Sequence, residues 1–317
     1  MGRCPFHGDG GRPNLYVYTS TQSWFCYRCN IGGDVISFVE HIERLGFRDA
    51  VALLTGERSV SRKARQPTRR VKPCASRRAI TGQDERSCLT AAVELYHNRL
   101  LTDSAALAYV HSRGLGDDVI ERCRLGYAAG DELISNLRCR RLPVQAALRV
   151  GLLRRSGCEF IAGRVVVPVI REGQPIWLVG RTLDSQPAVP KYLGLPGRKP
   201  LLGWEAAKDS REVFVVEGVF DWLTLLHWGY PSVALIGTHA RPEVVEMLTA
   251  FERVYITLDS DEAGQAAAET LAQVMGRRVV IVSLPRVKDV AELATVPDGL
   301  RIFARSVMRH RDQARVA

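Results

Sequence analysis

The chain has 317 residues, 46% hydrophobic and 25% charged, a composition that suits one large globular core or several small ones and excludes a disordered or fibrous chain. No apolar run approaches the roughly 18–20 residues that a bilayer span needs, and no apolar stretch follows Met1-Gly2-Arg3-Cys4-Pro5 as it would in a secretory leader, so a cytoplasmic protein with no membrane partner is expected. The formal charge of +10 favours a polyanionic partner.

Its distribution says more, because residues 61–83 carry eight bases and no acid, whereas residues 205–292 carry fourteen acids against eight bases. A nucleic-acid surface beside a cation site is the expectation. Residues 1–57 read as one small module. Leu15–Tyr18 and Ser23–Tyr27 are short aromatic and β-branched strands between turn formers. Gly32-Gly33-Asp34 opens a helix, with Asp34 as N-cap and Val35, Phe38, Val39, Ile42 and Leu45 on the helical period; a second short helix follows from about Arg48 to Leu54.

Residues 58–83, rich in Arg, Lys, Ser and Pro and without periodicity, read as a basic linker. Residues 84–155 repeat Leu, Ala and Arg at three and four and are expected to be mainly helical. Arg164–Ile170 and Pro175–Gly180 are strands joined by a turn at Glu172-Gly173, a hairpin signal. Val213–Glu217, Ser232–Ile236, Val254–Leu258 and Val279–Leu284 are nearly continuous apolar strands with amphipathic helices between them, which predicts a compact α/β unit on a buried parallel sheet. From residue 296 the pattern fades into an Arg-rich tail.

Cys4-Pro5-Phe6-His7 and Cys26-Tyr27-Arg28-Cys29 are two ligand pairs with 18 residues between them. Each pair places two ligands on one knuckle, and a hairpin between the pairs closes a tetrahedron, so Cys4, His7, Cys26 and Cys29 are expected to hold one structural zinc ion in a module too small for a full core. Tyr16, Tyr18, Trp24 and Tyr27 can stack on unpaired bases, with Trp24 and Phe25 mostly in the small core. Cys74, Cys88, Cys123, Cys139 and Cys158 are scattered and read as ordinary thiols.

A second constellation is acidic. Glu217 ends the first strand of the α/β unit, Asp259 and Asp261 end the third, and Asp289 follows the fourth. Ligands of open parallel sheets gather beyond the carboxyl ends of the strands. Asp259 and Asp261, two apart, face the same side of an extended chain. Carboxylates crowded at one sheet edge need a cation, and Mg²⁺ suits them; phosphoryl or nucleotidyl transfer is the chemistry that uses such a cluster.

On these residues the sequence resembles the bacterial DnaG-type DNA primases. The zinc ligands with Gly33-Asp34-Val35-Ile36-Ser37-Phe38-Val39-Glu40 resemble the family's CHC2 zinc-binding domain, and the α/β unit resembles its TOPRIM domain, with Val216-Glu217-Gly218-x-x-Asp221 and Leu258-Asp259-Ser260-Asp261-x-Ala263-Gly264 as its two acidic motifs. Tyr109-x-x-x-Arg113-Gly114-Leu115, Arg164-Val165-Val166-Val167-Pro168, Val179-Gly180-Arg181, Pro190-Lys191-Tyr192-Leu193 and Lys199 follow the family's order.

The resemblance implies a multidomain α+β and α/β chain. Its parts are a zinc ribbon over 1–57, the basic linker 58–83, a mixed α+β RNA-polymerase-type subdomain over 84–210, a Rossmann-like TOPRIM sheet over 211–295 and a tail over 296–317. It further implies synthesis of short RNA primers on single-stranded DNA from NTPs. Glu217, Asp259 and Asp261 would bind two or more catalytic Mg²⁺ or Mn²⁺ ions, Asp221 and Asp289 would support a further one, and Arg113, Arg164, Arg181, Lys191 and Lys199 would hold the triphosphate or the template backbone.

Three departures accompany it. The chain starts at the first zinc ligand; the family's Arg-rich stretch is thinned to Glu159-Phe160-Ile161-Ala162-Gly163-Arg164; and Ala291 stands where the family has a second aspartate. A short monomeric form without the helicase-binding domain, working with a separately supplied helicase, is expected. Two other readings stay open, a non-catalytic zinc/TOPRIM single-stranded-DNA-binding protein and a TOPRIM nuclease.

Overall fold

The computed structural model describes residues 2–6, 14–18, 22–26, 31–43, 45–56, 82–183, 189–237, 239–285 and 287–316. The chain divides into two compact units, residues 1–79 with 185–190, and residues 80–184 with 191–317. The basic linker lies mostly outside the described residues.

In the first unit β1 (Leu15–Tyr18), β2 (Ser23–Cys26) and β3 (Ile31–Asp34) form an antiparallel sheet in that order, followed by α1 (Val35–Glu43) and α2 (Phe47–Thr55). Gly32 and Gly33 do not open the helix as expected; they belong to β3, where a Cβ on Gly32 would strike the Trp24 carbonyl and Phe25. Asp34 ends the strand and caps α1, accepting the Ser37 N–H at 2.8 Å. Trp24 and Phe25 are buried, as expected, and Trp24 packs on Phe6 and Phe38 with ring centroids 5.0 and 5.1 Å away.

The second unit opens with the 21-residue α3 (Gly82–Thr102), then α4 (Ser104–Ser112), α5 (Asp117–Arg122), β4 (Gly126–Ala128), α6 (Leu133–Cys139) and α7 (Val144–Arg149). β5 (Arg164–Arg171), β6 (Gln174–Thr182) and β7 (Tyr192–Gly194) complete an antiparallel sheet ordered β4-β5-β6-β7. The predicted hairpin is present. Glu172 and Gly173 both have positive φ, 49° and 73°, the pairing that suits the strand twist. α3 packs across this sheet, and Gly126 of β4 comes so close to Tyr96 that a Cβ would clash.

After α8 (Trp204–Ala207) comes the alternating half: β8 (Glu212–Val216), α9 (Val219–His227), β9 (Ser232–Ala234), α10 (Pro242–Leu248), β10 (Arg253–Thr257), α11 (Glu262–Met275), β11 (Val279–Ile281) and α12 (Val290–Leu293). The four strands are parallel, in the order β11-β10-β8-β9. Period two splits their side chains between the two faces. Val213, Val215, Val254 and Ile256 pack with Leu248, Phe251 and Leu271, while Phe214 and Tyr255 stack 4.6 Å apart on the other face.

That other face is covered by α13 (Gly299–Val316), an 18-residue helix where the fading pattern suggested only a tail. Its fully buried Phe303 sits 5.0–5.6 Å from the rings of Phe214, Trp228 and Tyr230. Among the described residues no helix is long and apolar enough to cross a membrane.

Candidate active site at the carboxyl edge of the parallel sheet

β8 stops at Val216, and Glu217 leads into the turn before α9. Its Oε2 is buried and has no hydrogen-bond partner among the described residues. Burial, with the charges of Asp259 and Asp261 behind it, pushes the Glu217 carboxyl up to about 7. β10 stops at Thr257. Asp259 follows, half-buried and likewise raised by burial, and Asp261 then caps α11 by accepting the Gly264 N–H at 3.0 Å. That bond holds Asp261 below the usual carboxylate range. Gly264 has to be glycine, since a Cβ there would strike the Asp259 carbonyl.

Lys288 completes the group. Its Nζ lies 3.1 Å from Asp259 Oδ2 and 3.4 Å from Asp261 Oδ2, and its carbonyl accepts the Ser260 N–H at 3.0 Å. The two aspartates thus already share one cation. Asp289 caps α12 through the Glu292 N–H at 2.7 Å, and Glu292 returns a carboxylate oxygen to the Lys288 N–H at 2.7 Å.

Asp221 differs from the other acids. It is buried, and its oxygens take the Gly218 N–H at 3.1 Å and the Ala291 N–H at 2.8 Å. It therefore ties the first βα turn to the start of α12. Ala291, which stands at the place of the family's second aspartate, contributes through its backbone.

The five basic residues fall into two groups. Arg181 is buried in a cage of rings. Its Nε donates to the Tyr109 hydroxyl at 2.6 Å and its Nη1 to the Tyr192 hydroxyl at 2.5 Å, and the guanidinium lies 4.4 Å over Phe220 of α9. Arg113 rests over the other side of the cluster, 5.2 Å from the Tyr109 ring. Lys191 is exposed, held below its usual range by burial of its stem and by Arg181, with Asp289 as the opposing attraction. Arg164 is buried and donates to the Lys191 carbonyl at 3.3 Å.

Lys199 stands apart from these four. Its Nζ donates to the Ile236 carbonyl at 3.3 Å, and burial and Arg241 lower its pKa. Ile236 has φ of 55°, an uncommon conformation for a β-branched residue, and the next N–H, of Gly237, reaches the Glu217 carbonyl at 3.3 Å. The loop after β9 thereby joins Lys199 to Glu217. The sequence reading did not single out Lys288, Arg241 or Phe220. Lys288 had one available signal, its place directly before Asp289 in the loop after the fourth strand.

Among the described residues no three His, Cys, Asp or Glu side chains form a ready-made ion cage. The donor set still fits a hard divalent cation, given two aspartates drawn to one positive charge and a buried Glu217 oxygen without a donor. In the first unit Cys4 and Cys26 are both buried. The Gly2–Leu15 bridge and the Leu15–Cys26 register bring their segments together, and the Phe6 N–H points at Cys4 Sγ across 3.4 Å, as thiolate knuckles require. His7 and Cys29 lie outside the described residues.

Parallel sheet, acidic carboxyl edge and neighbouring cations make up a scaffold of TOPRIM type, and known proteins share its parts. Residues 1–70 match the CHC2 zinc finger, residues 95–199 the N-terminal domain of the DNA primase catalytic core, and residues 214–294 the Toprim-like family. The DNA primase of Pseudomonas putida is 30% identical over 97% of this chain and 50% of its own length, and that of Deinococcus radiodurans 29% identical over 95% and 54%. The crystal structure of the zinc-binding and RNA polymerase domains of the Aquifex aeolicus primase superposes with a TM-score of 0.65 at 27% identity, over 97% of this chain and 77% of that one. A DnaG primase catalytic domain solved with single-stranded DNA shares the fold, with a TM-score of 0.62 at 22% identity over 72% of this chain and 78% of that one. The chain is thus a relative of the bacterial DnaG-type DNA primases. It spans about half the length of the curated relatives it matches.

Proposed function

We propose that the chain is a DNA primase, a nucleotidyltransferase that joins NTPs into short RNA primers on single-stranded DNA. The observation that carries the reading is the convergence of Glu217, Asp259 and Asp261 at the carboxyl edge of the sheet, with the buried Glu217 oxygen left without a donor. Glu217, Asp259 and Asp261 would hold Mg²⁺ or Mn²⁺, and a divalent ion there supplies charge neutralisation for the triphosphate and activation of the attacking 3′-hydroxyl. Asp289 borders this set, and Asp221 acts from behind by holding α9 and α12 together.

Lys191 and Lys199 offer their ammonium groups to phosphate. Arg181, with two tyrosine hydroxyls already on it, is committed to its cage of rings. Arg164 fixes the Lys191 backbone, and Arg113 extends the basic surface from the Tyr109 ring.

The zinc unit, over residues 1–57, reads the template, the linker over 58–83 tethers it, and residues 84–210 and 211–295 form the catalytic body. The protein works in the cytoplasm as a monomer. The test is primer synthesis from labelled NTPs on single-stranded DNA with Mg²⁺ or Mn²⁺, run beside Asp259→Ala. Short RNA products that vanish in the variant support the reading. Single-strand binding without products would move the assignment to a non-catalytic binding protein, and cleavage of labelled DNA would move it to a nuclease.

A further inference from the structure

α13 carries five arginines and one acid, Asp312. One side of the helix is its anchor, with Phe303 and Ser306 buried. The opposite side presents Arg301, Arg305 and Arg309, all exposed, with Met308 among them 65% exposed. Spacing of four puts the three guanidinium-bearing positions within one stripe, roughly 6 Å apart along the helix axis and about 12 Å from first to last. Arg301 pairs with exposed Asp298 at 3.3 Å, a contact of little strength, and neither Arg305 nor Arg309 has an ion pair or hydrogen bond among the described residues.

The direction of the helix gives the stripe a meaning. α13 starts hard against α12, where a Cβ on Gly299 would strike the Leu293 carbonyl, and α12 begins at Asp289 of the acidic edge. Farther along, Arg311 reaches Glu212, the first residue of β8, at 3.5 Å. The helix therefore runs down the flank of the sheet from its acidic carboxyl edge to its amino edge. Three unpaired or weakly paired cations, evenly spaced on a rigid rod, complement the charge of successive phosphates on an extended strand.

We propose that the Arg301–Arg305–Arg309 face of α13 is a second contact for the backbone of single-stranded DNA, holding strand that extends beyond the acidic edge. The inference rests on the primase reading. It makes the contact sequence-independent, because phosphates carry no base information.

The test is fluorescence anisotropy of a labelled single-stranded oligonucleotide, titrated with the whole chain across a salt series. It compares wild type, the triple change Arg301→Gln/Arg305→Gln/Arg309→Gln, and the triple change to Lys. The Gln variant should bind a long oligonucleotide about tenfold more weakly at low salt, with a slope of log affinity against log salt shallower by about 2, as three lost phosphate contacts imply. The Lys variant should bind like wild type, and the thermal midpoints of all three should agree. Equal affinity and slope in wild type and the Gln variant would overturn this inference alone. Failure of wild type to bind single-stranded DNA at all would overturn it together with the primase reading.

Discussion

Glu159 is a carboxylate with almost no access to water, and three donors converge on it: the Tyr96 hydroxyl at 2.9 Å and the N–H groups of Glu132 and Leu133 at 3.1 and 2.9 Å. It caps the start of α6 from 26 residues away in sequence. This residue opens the stretch where the family carries more arginine, and its work there is structural. Glu159→Ala should lower stability by about 3 kcal/mol, because it strands two buried N–H groups and a hydroxyl, whereas Glu159→Gln, which keeps an acceptor, should cost about 1 kcal/mol. Urea unfolding of the two variants checks the difference. Cys88 and Cys123 make a second residue-scale case. Burial, chiefly, pushes their thiols up to about 11 and about 12. The folded pKa lies above the unfolded one, so from about pH 9 the unfolded chain gives up protons that the folded chain keeps, and stability falls as pH rises, by about 1.4 kcal/mol per pH unit for each thiol. Unfolding measured from pH 8 to 11 should show a shallower decline in Cys88→Ala/Cys123→Ala than in wild type.

At the scale of elements, what the sequence made legible followed a simple rule: a strand or helix was readable when its own side chains carried the pattern. The four parallel strands are unbroken apolar runs because both faces are covered, and the hairpin announces itself through Glu172-Gly173. β3 was missed because Gly32 and Gly33 have no side chains to alternate; what demands them is the neighbouring Trp24 carbonyl. α13 was missed for a related reason. Its buried side is one phenylalanine among small and polar residues, too thin an apolar stripe to register beside five arginines. The acidic site divides in the same way. Glu217, Asp259, Asp261 and Asp289 were legible as residues that end or follow strands, but Lys288 and the aromatic cage of Arg181 depend on contacts between distant segments. The weight that α13 places on one ring gives the test of this packing. Phe303→Ala should cost about 3–5 kcal/mol and release α13, read as a lower thermal midpoint with faster amide exchange confined to residues 299–316.

For the whole molecule, the two units draw their stability from different sources. The second unit has two sheets, each covered by helices, and long apolar runs buried between them. Among the described residues of the first unit, Cys4, Leu15, Trp24 and Cys26 form a buried cluster with Phe6 and Phe38 packed against it, while Val35, Ile42, Phe47, Leu53 and Leu54 are exposed. A cluster that small is of the kind a metal cross-link stabilises, and two of its buried side chains are thiols suited to make one. Titrating the chain with a thiol-modifying mercurial in the presence of a zinc-sensitive dye should release one zinc ion per chain. Chelation should then leave the first unit open to protease while a fragment beginning near residue 80 survives. Protection of both units after complete chelation would mean that the aromatic cluster around Trp24 folds unaided, and the zinc assignment for Cys4, His7, Cys26 and Cys29 would lose its physical reason.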